Sequence, residues 1–201
     1  MSVLVGRPAP DFTASAVLGS GEIVDEFNFA SSTKGKYAVV FFYQLDFTFV
    51  CPSELIAFDH RLKEFTDRGV EVIGVSIDSH FTHNAWRNTP VNNGGIGQVG
   101  YTLVADMKHE ICQAYDVEHP EAGVAFRGTF LIDKEGVVRH QVVNDLPLGR
   151  NVDELLRMVD ALQFHEEHGE VCPAGWNKGD KGMDASPDGV AAYLSENADN
   201  L

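Results

Sequence analysis

Cys51 stands where an apolar run gives way to a helical pattern, and this placement is the strongest chemical signal in the chain. The run Val39-Val40-Phe41-Phe42-Tyr43 leads into Asp46-Phe47-Thr48-Phe49-Val50-Cys51-Pro52-Ser53-Glu54. A thiol at a helix start meets backbone N–H groups without helical partners and the positive end of the helix dipole. Both favour the thiolate, which is the reactive form of cysteine. Redox or nucleophilic sulfur chemistry is therefore expected. The competing reading is a buried cysteine acting as a small hydrophobe. Three residues weigh against it. Thr48, three residues upstream, could hydrogen-bond the sulfur or an oxygen under attack. Arg127, in the polar break Ala125-Phe126-Arg127-Gly128, brings a permanent positive charge. Glu54, one helical turn beyond Cys51, is able to hold that arginine through a bidentate pair.

These side chains need a frame. Residues 37 to 44 read as a strand buried on both faces. After Cys51, the residues Leu55, Phe58, Leu62 and Phe65 recur at three- and four-residue intervals, giving one apolar helical face that Gly69 closes. Pro52 suits the first turn, where no backbone donor is missed. Residues 70 to 77 form a second buried strand, and Asp78-Ser79 caps a helix running through Trp86. Asn92 to Gly97 is a loop by composition. Tyr101–Val104 reads as a strand and Met107–Tyr115 as a short helix. Strands over Gly128–Ile132 and Val137–Val143 are joined by Asp133-Lys134-Glu135-Gly136, a hairpin signal. A last helix covers Asp153–Glu167. This order predicts an α/β architecture, a central mixed sheet flanked by helices. Past residue 168 glycine, proline and charge dominate, so a domain over 1–167 and an extended tail over 168–201 are expected. Cys172, Trp176 and Tyr193 are unusual in a solvated tail and point to docking.

Composition narrows the function classes. The formal charge of −15 argues against nucleic acid or an anionic membrane surface as partner. Apolar runs are too short for a membrane span, and Met1 to Pro8 lacks the pattern of a signal peptide. Three widely spaced cysteines, 51, 112 and 172, do not make a secreted disulfide framework, so a cytoplasmic location is expected.

The string from Asp46 to Glu54 resembles the active-site motif of peroxiredoxins. Val171-Cys172-Pro173-Ala174-Gly175-Trp176 resembles the resolving-cysteine segment of the typical two-cysteine group, the alkyl hydroperoxide reductase C type. The likeness runs from Gly6-Arg7-Pro8-Ala9-Pro10-Asp11-Phe12 into the tail. It implies a thioredoxin-like fold and a thiol-dependent peroxidase that reduces hydrogen peroxide and alkyl hydroperoxides. By the same resemblance, Cys51 becomes a sulfenic acid, Thr48 and Arg127 position the peroxide oxygens, and Cys172 of a partner subunit forms the disulfide after local unwinding at Cys51. A thioredoxin or a dedicated flavoprotein disulfide reductase then restores the thiols. The resemblance implies no metal or organic cofactor, and a homodimer assembled as a decameric ring of dimers. Arg150 resembles a second family arginine near the pocket, with a surface charge at a helix start as the alternative.

At one position in the motif, Gln44, a natural variant or an engineered change, stands where the family usually has proline, which puts reaction rate and oligomer geometry in question but not the reaction class. Gly94-Gly95-Ile96-Gly97 and Tyr193-Leu194 resemble features of overoxidation-sensitive members, but Leu194 stands for the usual phenylalanine and Ile96 for the usual leucine, so intermediate to appreciable sensitivity to excess peroxide is expected. Cys112 reads as a packed thiol. His80 and His83 have no third metal ligand at a recognisable spacing, and His83 and Trp86 are expected to pack near the site or an interface. A different class of function, a redox-regulated holdase chaperone or peroxide-signalling relay, would use the same scaffold. A disulfide reductase is disfavoured because Thr48 and Glu54, not cysteines, lie three residues either side of Cys51. A cysteine hydrolase would need a histidine brought to the sulfur from elsewhere in the fold.

Overall fold

The computed structural model describes residues 3–200; Met1 and Ser2, part of the N-terminal segment read above, and Leu201 lie outside the described residues. The chain divides into two compact units, the first ending at Val152 and the second beginning at Asp153. The last long helix therefore falls with the tail.

The first unit is built on a seven-stranded mixed sheet: β1 (Thr13–Val17), β2 (Ile23–Asn28), β3 (Tyr37–Phe42), β4 (Val70–Ser76), β5 (Thr102–Ala105), β6 (Arg127–Ile132) and β7 (Val138–Asn144). Their spatial order is β2-β1-β5-β4-β3-β6-β7. Strands β3, β4 and β5 run parallel, while the outer pairings are antiparallel. Every residue of β3 is buried, as expected of a parallel strand covered on both faces. The hairpin β1–β2 was not expected from the sequence. It lies at the sheet edge, its strands are short and partly exposed, and a register shift between Ala14 and Ala16 breaks the alternation.

The helices of this unit are α1 (Phe29–Ser32), α2 (Cys51–His60), α3 (Leu62–Asp67), α4 (His80–Asn88) and α5 (Glu110–Ala114). The single helix expected from Cys51 to Gly69 is interrupted at Arg61, whose φ of −101° and ψ of 1° leave the helical region. Both pieces keep the same apolar face, with Leu55, Phe58 and Phe65 buried. Successive side chains of β3 point to opposite faces. Phe41 stacks on Phe58 of α2 at 4.1 Å, while Phe42 meets Tyr115 and Phe130 at 5.2 and 5.9 Å. Helix α2 thus covers one face, and the segment after α5 covers the other. Burying a side chain of this size is worth about 1.5–3 kcal/mol, so β3 and its two aromatic neighbourhoods anchor the loop that follows.

The second unit holds α6, whose helical residues begin at Val152 and end at His168, and α7 (Pro187–Asn197). The tail is less loose than its composition suggests. Trp176 is buried and packs on Phe164 of α6 at 4.9 Å, and Val171 and Met183 exchange backbone hydrogen bonds at 2.9 Å. Helix α7 was not expected. Ser186 accepts from the Gly189 amide as its N-cap and Pro187 opens it, yet it buries no residue. Among the described residues, no helix is long and apolar enough to cross a membrane.

Candidate active site

Helix α2 begins at Cys51 itself, with Pro52 in its first turn and no side chain capping its N-terminus. Cys51 is fully buried. Two side chains bracket its sulfur: the Gln44 Oε1 at 3.0 Å and the Arg127 Nη1 at 3.5 Å.

Arg127 opens β6, where an arginine among otherwise uncharged, buried residues must find several partners. Its Nη1 donates to Glu54 Oε2, and its Nε and Nη2 donate to the Leu146 carbonyl at 2.8 and 2.6 Å. Glu54 lies one turn along α2, on the same side of the helix as Cys51. Its carboxylate also takes a second guanidinium. Arg150 reaches Oε1 through Nε and Oε2 through Nη2, both at 2.9 Å, a bidentate pair. Arg150 further donates from Nη1 to the carbonyls of Phe42 and Gly128, at 2.8 and 3.0 Å, and lies over the Phe41 ring. Gly128 is needed there: a Cβ would fall 2.8 Å from Val117 Cγ1. One carboxylate therefore ties together α2, β6 and the segment before α6, with two guanidiniums against one anion.

Thr48 is half-buried and its hydroxyl donates to the Leu45 carbonyl at 2.7 Å. The proton is thus committed to the loop, and the oxygen lone pairs are left to accept from a donor. The rest of the loop is fixed by a buried network that the sequence did not reveal. Asp46 accepts from Tyr43 at 2.9 Å and pairs with His83 Nδ1 at 2.7 Å, while His83 Nε2 meets the Val104 carbonyl at 3.2 Å. The backbone amide of Asp46 donates to Asp78 at 2.7 Å. Burial, and then the charge of Asp46, hold the Tyr43 hydroxyl well above its ordinary pKa, so it stays a donor. Phe47 adopts a left-handed φ of 55° and rests on Trp86 at 5.8 Å. Its neighbour Phe49 is 97% exposed. The only local hints were an aspartate in the loop and a histidine in the next helix.

The other thiols differ. Cys112, in α5, is pushed well up by burial and then by the charge of Asp106. The sequence showed no charge organisation around it; the structure supplies one of the opposite sign to that at Cys51. His109 Nδ1 and Glu118 Oε1, close to Cys112, are already paired at 2.6 Å. Cys172 is half-buried in the second unit, and its Sγ approaches the Ala161 carbonyl at 3.4 Å. Burial raises its pKa and the Arg157 charge partly offsets that rise. A cleft of about 530 Å³ in the second unit, lined by residues such as Trp176, Lys181 and Tyr193, contains none of the expected site residues.

The chain is also similar to known proteins. Residues 5–141 match the model of the AhpC/TSA family, and residues 161–196 match that of the C-terminal domain of 1-Cys peroxiredoxin. The chain is 59% identical over 199 residues to alkyl hydroperoxide reductase C of Helicobacter pylori, covering 99% of this chain and 100% of that one. It is 50% identical over 193 residues to peroxiredoxin-2 of Macaca fascicularis, with 96% of each chain covered. The crystal structure of reduced 2-Cys peroxiredoxin from Plasmodium vivax superposes with a TM-score of 0.92 at 48% identity, over 96% of this chain and 100% of that one. With a family model spanning most of the first unit and relatives at about half identity or better along almost the whole length, the chain belongs to the AhpC/TSA family, the peroxiredoxins.

Proposed function

We propose that the chain reduces hydrogen peroxide and alkyl hydroperoxides, with Cys51 as nucleophile. The observation that carries this reading is a buried sulfur 3.5 Å from a guanidinium that Glu54 holds in place. As thiolate, Cys51 attacks the terminal peroxide oxygen. The O–O bond breaks, the sulfur becomes a sulfenic acid, and the departing alkoxide or hydroxide takes a proton to leave as alcohol or water. Arg127 faces the charge that grows on the departing oxygen, and its fixed partners mean that little reorganisation is needed at that moment. Thr48, whose proton already serves Leu45, accepts from the peroxide O–H. Arg150 positions Glu54 and, through it, Arg127.

Resolution follows by attack of the Cys172 thiol on the Cys51 sulfenic acid, forming a disulfide and releasing water. An external dithiol, from a thioredoxin or a dedicated flavoprotein reductase, then reduces that disulfide by exchange. A partner subunit supplies Cys172, which requires at least an isologous homodimer and suits a decameric ring of dimers. Exposed aromatic side chains at Phe49 and Phe81 support such contacts. A cytoplasmic location is supported by the bacterial alkyl hydroperoxide reductase C relatives. The family match favours this enzyme over a holdase chaperone or signalling relay on the same scaffold.

The test is a peroxide-consumption assay with a dithiol protein as reductant, on the unsubstituted chain, Cys51→Ser and Cys172→Ser. Cys51→Ser is expected to abolish turnover. Cys172→Ser is expected to permit one oxidation per chain and no intersubunit disulfide on nonreducing gels. Full turnover by Cys51→Ser would end the reading.

A further inference from the structure

Gln44 occupies the position two residues beyond β3 and is buried. Its side-chain amide is used at both ends. Nε2 donates to the Ala125 carbonyl at 3.2 Å, and Oε1 receives the Cys51 thiol at 3.0 Å. The first contact dictates the orientation: turned over, the amide would set two acceptors, Oε1 and the Ala125 oxygen, against each other. The sulfur is therefore offered a hydrogen-bond acceptor. Only the S–H form can use it, since a thiolate at that spot would face a carbonyl lone pair.

On its other side the sulfur meets Arg127, which favours the anion. The charged groups around the sulfur are this guanidinium from β6, Glu54 from α2 behind it, and Arg150 from the segment before α6. Cys51 thus lies between one group that rewards the proton and one that rewards its loss. We propose that Gln44 is a proton-holding latch, a positioning residue that keeps Cys51 as a thiol in the resting pocket. Ionisation requires its amide to turn and present Nε2 to the sulfur, at the cost of the bond to Ala125. Reactivity of this sulfur is then set by the Gln44–Ala125 contact as much as by Arg127. The inference builds on the reading of Cys51 as the reacting thiol, but it concerns ionisation alone and can fail separately.

The experiment measures iodoacetamide alkylation of Cys51 against pH in the reduced full chain, located by peptide mass, with peroxide consumption recorded in parallel. Gln44→Met keeps the length and removes the amide; Gln44→Glu keeps an acceptor and adds negative charge. Gln44→Met is expected to move the alkylation midpoint toward acid by about one pH unit, the size of one hydrogen bond to the S–H form. Gln44→Glu is expected to move it toward alkali. The infrared S–H stretch of the unsubstituted chain, assigned by difference from Cys51→Ser, gives a check that needs no Gln44 variant. A hydrogen-bonded S–H band at neutral pH supports the latch, and no such band there overturns it. An unchanged midpoint in Gln44→Met overturns it as well, whatever the peroxide assay returns. A shifted midpoint without peroxide consumption in any variant leaves the latch standing and removes the peroxidase reading instead.

Discussion

Cys51 and Cys112 are both buried and both sit in the first turns of helices, yet their surroundings are nearly opposite. At α2 no side chain caps the helix, and the sulfur belongs to its first residue, facing Arg127. At α5 the Asp106 carboxylate takes the amides of Ile111 and Cys112 at 3.0 and 2.8 Å. The donors that would favour an anionic sulfur are spent on a carboxylate, which adds its own negative charge beside the thiol. Burial acts with that charge, and with the smaller contribution of Glu118, so Cys112 is held protonated. The lesson is that helix position and burial do not make a thiol reactive. What separates these two thiols is who takes the helix donors and the sign of the nearest charge.

The largest change to this contrast comes from Glu54→Gln. It leaves two buried guanidiniums, Arg127 and Arg150, without their shared carboxylate. Removing one partner of a buried ion pair costs about 3–5 kcal/mol, readable by denaturant unfolding. Displacing a fixed donor costs about 10²–10³ in rate, so peroxide turnover should fall by at least the lower figure. A stable, fully active Glu54→Gln protein would break the comparison on the Cys51 side.

Cys112→Ala tests the other side. It should lower stability by about 1 kcal/mol, as expected for a small cavity in the core, and leave turnover unchanged. In the folded chain, alkylating reagent should mark Cys51 while Cys112 stays unlabelled until unfolding. Labelling of both at equal rates would erase the distinction.

The smallest effect lies at Glu118. The hydrogen bond from His109 holds its carboxyl below the usual range. A carboxyl depressed in the folded state stabilises above its ordinary pKa, and that contribution is lost as pH falls through the lowered value. Glu118→Gln should therefore flatten the acid side of the thermal-stability curve, by no more than about 0.5 kcal/mol for a pair this exposed. An unchanged acid slope would remove Glu118 from the charge balance around Cys112.

Patterns carried by neighbouring residues were readable in the sequence. The apolar run of β3, the Cys51-Pro52 helix start and the Ser79 cap of α4 each state their structure locally. The break at Arg61 was hidden because Leu62 and Phe65 continue the same stripe across it. Helix α7 was hidden for the converse reason: Ser186-Pro187 signals a start, but Val190 and Leu194 remain exposed and no stripe follows. In the site, the partners of Cys51 lie far along the chain. Glu54 meets Arg127 across 73 residues and Arg150 across 96. Chemical type and family resemblance suggested those residues, while only the fold joins all three through one carboxylate. The Asp46–His83 pair and the double use of the Gln44 amide had no local pattern, since each depends on a carbonyl or ring brought in by a distant segment of the chain.

The Glu54 clamp also sets a limit on motion. Cys51 is sealed within the protein, so any meeting with a second thiol demands that the opening turn of α2 melt. Glu54 is the fourth residue of that helix and is bolted to two separate segments by several charge-assisted bonds. Fraying that begins at Cys51 meets this bolt after three residues, so the nucleophile can swing outward while the remainder of α2, with Phe58 stacked on the sheet, stays seated.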